Sequence, residues 1–366
     1  MNVCIIYGGK SGEHQVSKVS ALSVFKNLDK TKHNAVLIGI TKKGEWYLQP
    51  QDEKLISQNG DYLTIREIPE NRVNIIPGGR ENAFRIQEKA LSTDVIFPVL
   101  HGTYGEDGTI QGLFEMAQIP YIGGGVLSSS IAMDKEKTKI IWENAGLPVV
   151  PYIAVKDYQW ENPEEQQKII ARAEYSLRYP VFVKPACAGS SVGAGRAENR
   201  QELLLKASEA FQWDSKILLE TSINAREIEC SVTGNKVFTA YTPGEIAPTH
   251  DFYDYEAKYL DPKGAALKIP ADIDDSMMYR IRETAVKAYE ALDMTGLSRV
   301  DFFIDKNDGR LYLNEINTLP GFTSISMFPK MCEASGLPYA LLLEELIKLA
   351  IDRFENKKQL KLENLE

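Results

Sequence analysis

The stretch LSRVDFFIDKNDGRLYLNEINTLPG, at positions 297–321, decides the fold of the chain. Two runs rich in apolar and β-forming residues flank an Asn-Asp-Gly turn at 307–309, which predicts a β-hairpin. A two-residue turn would pair Asn307 with Arg310. A three-residue turn, with its glycine in the left-handed conformation, pairs Lys306 with Arg310, and we predict this second register.

The register decides which side chains share one face of the hairpin. The three-residue turn sets Asp301 opposite Glu315 and Arg299 opposite Asn317, all on the same face, whereas the two-residue turn would separate the two carboxylates. Carboxylate and amide oxygens suit a hard cation such as Mg²⁺, which also shares phosphate oxygens. We therefore predict a metal–phosphate site here, and the alternative is a hairpin face with ordinary charges.

The overall composition narrows the class of protein. A chain of 366 residues with 43% hydrophobic and 25% charged residues is long enough for two or three domains with their own cores. The net charge of −9 and the absence of a basic block argue against a nucleic-acid partner. No apolar run reaches the roughly 18 residues of a membrane span. Four scattered cysteines without metal-site spacing, and an N-terminus that reads as a strand and not as a signal peptide, favour the cytoplasm.

The N-terminal segment has the pattern of a doubly wound α/β domain. A strand at 3–7, the glycine-rich turn GGKSGEHQVS, a helix near 16–28 and a strand at 35–40 follow one another. The turn lacks the spaced glycines of the dinucleotide fingerprint. We interpret the polar, irregular segment 41–92 as a surface elaboration with a hairpin near Gly44.

A second glycine-rich loop follows the next predicted strand, at 94–100. Its sequence HGTYGEDGTIQG would meet the first loop at the carboxyl edge of the sheet, where open α/β sheets bind ligands. The polar candidates in the two loops are Glu13, His14, His101, Glu106 and Asp107. They make a small zwitterionic ligand plausible, although a single histidine at a strand end is often a satisfied structural residue.

Three features of the central and C-terminal chain point to a nucleotide cleft. In VFVKPACAGSSVGA, at 181–194, Lys184 precedes a small flexible loop whose N–H and hydroxyl groups could cradle phosphates, with a plain turn as the alternative. Glu220, Glu227 and Glu229 bracket a predicted domain junction. The long segment 244–262 is predicted to be a lid loop. Helices are predicted at 136–145, 200–212, 274–291, 324–335 and 338–354.

Seven stretches together resemble the D-alanine–D-alanine ligases of the ATP-grasp superfamily. They are GGKSGEHQVS, HGTYGEDGTIQG, AMDK at 132–135, VKPACAGSSVG, FYDYEAKY, RVD at 299–301 and NEINTLPGFTSISM. These stretches occur in the family's order and cover the chain nearly end to end. One departure is Cys187-Ala188, where the family is expected to carry bulkier or charged residues.

The resemblance implies a mixed α/β (α+β) fold, in which an N-terminal doubly wound parallel-sheet domain precedes a two-part ATP-grasp fold. We expect a substrate-binding domain at 1–123, a central subdomain at 124–222, and a C-terminal subdomain at 223–366 that contains the lid and the metal-binding hairpin 297–317. The implied reaction is ATP-dependent ligation of two D-alanine molecules through an acyl phosphate, releasing ADP and phosphate, for peptidoglycan precursor synthesis. The implied enzyme is a cytoplasmic homodimer without a nucleic-acid or membrane partner.

The resemblance also implies how the substrates and ions are bound. Glu13 would anchor the ammonium group of the first D-alanine in a hydrogen-bonded set with Ser190 and Tyr259, and His101 would orient that substrate. The residues implied for ATP are Lys135, Lys184, Ser191 and Lys258 at the phosphates, Lys184, Glu220 and Ile223 near adenine, and Glu227 at the ribose. Asp301, Glu315 and Asn317 would hold two Mg²⁺ (or Mn²⁺) ions.

The last implied roles concern transfer to the second substrate. Arg299 and the N–H group of Gly321 would stabilise the tetrahedral oxyanion, while Ser326 and Lys258 would hold the second carboxylate. Tyr259 would favour D-alanine over D-lactate, because the related D-alanine–D-lactate ligases usually carry histidine there.

Three other functions compete with this interpretation. They are a different ATP-grasp ligase, a nucleotide-binding regulatory protein with a dead site, and a nicotinamide-dependent oxidoreductase. The motifs along the full chain argue against a different ATP-grasp ligase. The intact metal and lysine residues argue against a dead site, and the missing dinucleotide fingerprint argues against an oxidoreductase.

Overall fold

The computed structural model describes residues 1–248, 265–323 and 325–361. Its strands are β1 (Asn2–Gly8), β2 (Asn34–Ile40), β3 (Trp46–Leu48), β4 (Val73–Ile75), β5 (Phe84–Ile86), β6 (Lys89–Leu91), β7 (Val95–Val99), β8 (Tyr152–Lys156), β9 (Val181–Pro185), β10 (Gly195–Ala197), β11 (Lys216–Thr221), β12 (Ala225–Gly234), β13 (Phe238–Ala240), β14 (Gly244–Pro248), β15 (Ala265–Lys268), β16 (Gly296–Asp305) and β17 (Leu311–Asn317). Its α-helices are α1 (His14–Asn27), α2 (Thr109–Ala117), α3 (Val126–Met133), α4 (Lys135–Asn144), α5 (Asp157–Trp160), α6 (Pro163–Ser176), α7 (Arg200–Ala210), α8 (Asp275–Ala291), α9 (Met327–Ala334) and α10 (Tyr339–Lys358).

The first sheet confirms the predicted doubly wound domain. Its strand order is β3-β2-β1-β7, and β1 pairs in parallel with both β2 and β7. Alternate residues of β1 enter two different cores: Ile5 packs in the core that contains residues of α1 and α10, and Ile6 in the core that contains Phe114 of α2. A parallel strand covered on both faces must be apolar throughout, which explains the continuous run VCIIY.

The segment 41–92 contributes more to the core than predicted. The hairpin at Gly44 is present, with β2 and β3 antiparallel, and β4, β5 and β6 form a small antiparallel sheet. Leu63 and Phe84 are fully buried. The interpretation as a surface elaboration was therefore wrong for these residues, because single apolar residues without a helical or strand period give no sequence signal of burial.

Two further sheets form the rest of the fold. The second sheet is antiparallel in the order β10-β9-β11-β8, and the third has the order β15-β14-β12-β16-β17, with β13 also on β12. The predicted lid loop was wrong at its start: residues 244–248 form β14, which pairs with β12 and β15. Lys258 and Tyr259 lie outside the described residues.

The predicted helices are present with ends shifted by a few residues, and α2, α3, α5 and α6 are additions. The longest of these additions is α6. Its start has a clear signal, because the Asn162 side chain accepts hydrogen bonds from the N–H groups of Glu164 and Glu165, and Pro163 occupies the first turn. In the described parts of the chain, no helix combines the length and apolarity that a membrane crossing needs.

Candidate active site

The central hairpin has the predicted pairs at the candidate site, but its loop differs from the predicted one. Asp305 pairs with Arg310, since its N–H donates to the Arg310 carbonyl at 2.9 Å, and the Gly309 N–H donates back to the Asp305 carbonyl at 2.9 Å. The loop therefore has four residues, and the predicted Lys306–Arg310 pair was wrong. Gly309 does adopt the left-handed conformation, with φ of 71°.

A β-bulge restores the pairs that matter for the site. Phe302 lies opposite Leu313, but the next pair is Asp301 with Glu315, so Asn314 is one extra residue in β17. Beyond the bulge, Arg299 lies opposite Asn317, as predicted. The extra residue in the loop and the extra residue in the strand compensate each other.

The bulge also adds a site residue that the sequence analysis missed. The Lys184 Nζ donates to the Asn314 Oδ1 at 3.1 Å, so β17 reaches across to β9 of the second sheet. A regular strand would have directed Asn314 and Glu315 to opposite faces. No feature of the sequence distinguishes this asparagine from an ordinary strand residue.

Arg299 lies among carboxylates on this hairpin face. Its Nε and Nη2 each donate to a carboxylate oxygen of Asp301 at 2.7 Å, and its Nε lies 3.1 Å from Glu229 Oε2. The Asn317 Nδ2 donates to Asp301 Oδ2 at 2.9 Å. Glu315 Oε2 lies 3.6 Å from the Lys135 Nζ.

The donor set on this face fits a divalent cation. Asp301, Glu315 and Asn317 supply only oxygen ligands, the type that Mg²⁺ and Mn²⁺ prefer. Among the described residues, no three His, Cys, Asp or Glu side chains group into a metal site. Two carboxylates and one amide would therefore need phosphate oxygens and water to complete the coordination, as is usual for magnesium bound with a nucleotide.

The loop after β9 is fixed to the start of α4. Ser190 and Ser191 have left-handed backbone angles, with φ of 52° and 58°. The Lys135 N–H donates to the Ala186 carbonyl at 3.0 Å, and the Lys135 Nζ donates to the Ala188 carbonyl at 2.7 Å. A lysine predicted to meet phosphates is thus attached to the loop predicted to cradle them.

Cys187, the departure from the family pattern, has a structural position in this loop. Its N–H donates to Asp214 Oδ2 at 2.7 Å. Burial, together with the charges of Asp214 and Asp134, raises the pKa of its thiol to about 12, so it stays protonated at neutral pH.

Three charged residues are buried together between the second sheet and α4. Glu220 lies 2.9 Å from the Nζ atoms of both Lys139 and Lys184. Burial would raise the pKa of Glu220, but the two lysines outweigh it and hold the pKa below its usual value. Burial lowers the pKa of Lys139 to about 8. The sequence analysis missed Lys139, since a lysine within a helix usually faces solvent.

The loop after β1 approaches the loop after β9. The Ser190 hydroxyl donates to Glu13 Oε1 at 2.5 Å, which joins two members of the predicted substrate set. The other oxygen, Glu13 Oε2, would lie 2.6 Å from a Cβ at Gly102, whose φ is 71°. A side chain at position 102 would therefore displace the Glu13 carboxylate.

His101 is buried and Glu106 is partly buried beside this loop pair. His101 is only 6% exposed, and its ring contacts Ser20 and the Leu319 carbonyl. Burial lowers the pKa of His101. Burial and then the charge of Glu13 raise the pKa of Glu106 to about 8.

The other predicted site residues lie in the C-terminal part of the chain, and the remaining loop candidates have partners nearby in sequence. A Cβ at Gly321 would lie 2.8 Å from the Ser326 hydroxyl oxygen, so a side chain there would displace that hydroxyl. Glu227 lies on β12 opposite Phe303, and Ile223 lies in the link between β11 and β12. Of the loop candidates, His14 Nδ1 contacts the Gly9 carbonyl, and Asp107 accepts backbone hydrogen bonds within its own loop.

Comparison with known proteins decides the family. Models described as the D-ala D-ala ligase N-terminus and C-terminus match residues 2–124 and 141–348. The chain belongs to the D-alanine–D-alanine ligase family. It is 60% identical to the D-alanine–D-alanine ligase of Treponema denticola, over 99% of both chains, and 46% identical to that of Treponema pallidum, over 97% of this chain and 89% of the relative.

Solved structures of the family share the fold. The D-alanine–D-alanine ligase of Coxiella burnetii superposes with a TM-score of 0.83 at 34% identity, over 98% of this chain and 96% of that chain. A D-Ala:D-Ser ligase of Enterococcus faecalis gives a TM-score of 0.84 at 36% identity, over 95% and 99%. The predicted ATP-grasp fold is confirmed, and the chain is an ATP-dependent ligase of a superfamily that uses divalent metal ions.

Proposed function

We propose that this ligase joins two molecules of D-alanine to D-alanyl-D-alanine for peptidoglycan precursor synthesis and converts ATP to ADP and phosphate. The observation that carries the proposal is the relationship over the full length, at 60% identity, to a D-alanine–D-alanine ligase. The contact between Glu13 and Ser190 supports it, since a carboxylate held at the edge of the first sheet is a suitable partner for an amino-acid ammonium group.

The reaction that we propose has two steps, because a carboxylate is a poor electrophile. A carboxylate oxygen of the first D-alanine attacks the γ-phosphorus of ATP, forms an acyl phosphate and releases ADP. The amine of the second D-alanine then attacks the acyl carbon, and phosphate leaves as the amide bond forms. Charge on the transferring phosphoryl group needs neutralisation in such reactions, which lysines and metal ions supply.

We assign the residues of this chain to that chemistry as follows. Lys135, Lys184, Ser191 and Lys258 bind the phosphates, while Glu220, Ile223 and Glu227 bind the nucleoside. When bound, two Mg²⁺ (or Mn²⁺) ions held by Asp301, Glu315 and Asn317 would neutralise phosphoryl oxygens. Glu13, Ser190, Tyr259 and His101 form the first D-alanine site. Arg299 and the Gly321 N–H stabilise the oxyanion, and Ser326 and Lys258 bind the second carboxylate.

The larger organisation is also part of the proposal. We propose boundaries near 123 and 222, and two observations support them: one family model ends at residue 124, and the second sheet ends at Thr221 before the third begins at Ala225. We further propose a homodimer that acts in the cytoplasm, where ATP is available and four free cysteines remain reduced.

Steady-state assays of ADP release test the proposed activity. With ATP and Mg²⁺, we expect ADP release that depends on D-alanine and is matched by D-alanyl-D-alanine in the product mass spectrum. L-Alanine is the matched control and should give only background ADP. Release of ADP without any amino-acid dependence would point to a different acceptor, and tight ATP binding without turnover would revive the dead-site interpretation.

Substitution of Tyr259 tests the choice of second substrate. We expect Tyr259→His to raise the share of D-alanyl-D-lactate when D-alanine and D-lactate are supplied together, because histidine is usual at this place in D-alanine–D-lactate ligases. Mass spectrometry of the products gives the ratio. A ratio equal to that of the parent enzyme would remove Tyr259 from this role.

A further inference from the structure

The segment around Gly321 is held to α1 and to the loop after β7 by a set of hydrogen bonds that the proposed mechanism does not use. The His101 Nδ1 contacts the Leu319 carbonyl at 2.9 Å, and the Leu319 N–H donates to Glu106 Oε1 at 3.1 Å. The Phe322 N–H donates to the Ser20 hydroxyl oxygen at 3.3 Å. All three of these partner residues therefore belong to the N-terminal part of the chain.

The chemistry of these groups fixes the direction of each hydrogen bond. A carbonyl oxygen only accepts, so the proton of a neutral His101 must lie on Nδ1. Its Nε2 is then an acceptor, and the Ser20 hydroxyl, 3.2 Å away, donates to it. The hydroxyl proton is thereby directed to the ring, which leaves the oxygen lone pairs of Ser20 to accept from Phe322. Ser20 is fully buried, so water does not compete.

These hydrogen bonds lie on both sides of Gly321, whose N–H group is the one assigned to the oxyanion. Leu319 is bound at both its N–H and its carbonyl, and Phe322 is bound at its N–H by Ser20 and at its carbonyl by the Tyr339 hydroxyl, at 2.7 Å. Gly321 lies between them. The direction of its N–H is therefore set by the hydrogen bonds on either side of it.

The same residues also reach the first substrate site. Glu106 Oε2 accepts from the Gly102 N–H at 2.6 Å, and the Ser11 hydroxyl donates to the His101 carbonyl at 2.8 Å. Gly102 in turn adjoins the carboxylate of Glu13. One partly buried hydrogen-bond network thus connects the carboxylate assigned to the first D-alanine with the N–H assigned to the oxyanion.

We propose that Ser20, His101 and Glu106 are positioning residues that hold the Gly321 N–H for attack by the second D-alanine. This inference rests on the proposed function. Most of these hydrogen bonds involve backbone atoms of the 319–322 segment. The network therefore orients the oxyanion donor without contacting ATP. Its loss should therefore slow formation of the amide bond more than formation of the acyl phosphate.

The test measures the two steps separately in the full-length enzyme. ATP with an isotopically labelled β–γ bridge oxygen reports the first step, because reversible acyl-phosphate formation lets the label move to a non-bridging position. Net D-alanyl-D-alanine reports both steps. For Ser20→Ala we expect ligation to fall roughly ten- to hundredfold, the usual effect of a misplaced catalytic group. The ratio of isotope exchange to ligation should rise, and the KM for ATP should stay near that of the parent.

Ser17→Ala is the matched control, because Ser17 is also a fully buried serine of α1. Within the described residues, its hydroxyl group bonds to the Gly8 N–H and the Val99 carbonyl, away from the 319–322 segment. This control should lose thermal stability comparably while keeping the exchange-to-ligation ratio of the parent. If Ser20→Ala does not fold, Glu106→Gln replaces it, since the amide group facing Gly102 disturbs the same network.

Each outcome decides the inference. A raised exchange-to-ligation ratio in Ser20→Ala or Glu106→Gln, but not in Ser17→Ala, supports the positioning role. An unchanged ratio, or one that rises equally in Ser17→Ala, overturns it and leaves the network as a contribution to stability alone. A parent enzyme that makes no D-alanyl-D-alanine would instead refute the proposed function, which the product assay shows by itself.

Discussion

Replacing Arg299 with alanine should lower the kcat of ligation by about 10² or more. The loss of one oxyanion donor typically costs roughly 3–4 kcal/mol of transition-state stabilisation. Arg299 lies where such a donor could act, yet it is ion-paired with Asp301 and Glu229 in the structure. A role in shaping the hairpin alone is therefore the competing explanation.

Two further variants separate these explanations for Arg299. Arg299→Lys keeps the positive charge between the carboxylates but loses the planar donor pair, so it should keep the fold and still lose most of kcat. Arg226→Ala is the matched control, because Arg226 forms a similar two-bond pair with Glu245 on the same sheet, at 2.8 Å for each bond. It should lose stability without a comparable loss of kcat. Near-normal steady-state kinetics for Arg299→Ala would remove Arg299 from oxyanion stabilisation.

Among single substitutions at this site, Glu220→Gln should lower the free energy of unfolding most. It leaves the ammonium groups of Lys139 and Lys184 buried without their shared carboxylate, and breaking a buried ion pair from one side costs about 3–5 kcal/mol. Denaturant unfolding, followed by fluorescence, measures the change in the free energy of unfolding. ATP affinity should fall as well, because Lys184 loses the partner that holds it in the cleft.

The pH dependence and a double variant test the physical cause of this loss. Burial already lowers the pKa of Lys139 from 10.5 to about 8, so its charged form is disfavoured in the folded state. The unfolded state binds the proton of Lys139 more tightly than the folded state. The free energy of unfolding therefore falls as the pH drops from 10.5 towards the folded pKa. The Glu220 charge raises the pKa of Lys139, so Glu220→Gln lowers that pKa further, and the penalty of the substitution should shrink as the pH is raised towards 8 and level off above it.

Adding Lys139→Met to Glu220→Gln should recover part of the lost stability, since one buried charge without a partner is removed. Glu209→Gln, which breaks the partly exposed Lys206–Glu209 pair, is the control and should change stability by less than about 1 kcal/mol. A Glu220→Gln penalty as small as this control would show that water reaches the buried lysines.

By itself the sequence determined the family and the main strands and helices, and it predicted the chemical type of the proposed site residues. Glycine-rich loops after apolar strands, a lysine before a small loop, and two carboxylates with an amide on one hairpin are local patterns, and local patterns survive in a single sequence. The pairing of Asp301 with Glu315 was predicted correctly, but only because a four-residue loop and a bulge at Asn314 offset each other. Hairpin loop length depends on strand twist and on the neighbouring strand, which local residues do not encode alone.

Only the tertiary structure decided which further residues join the site. Asn314 reaches Lys184 through the bulge, Lys139 is buried against Glu220 although it lies in a polar helix, and Ser20 meets Phe322 across 302 positions of sequence. In each case the residue is defined by burial and by a partner far along the chain. Desolvation and hydrogen-bond pairing act between elements after they pack, so a pattern read along one segment contains no trace of them.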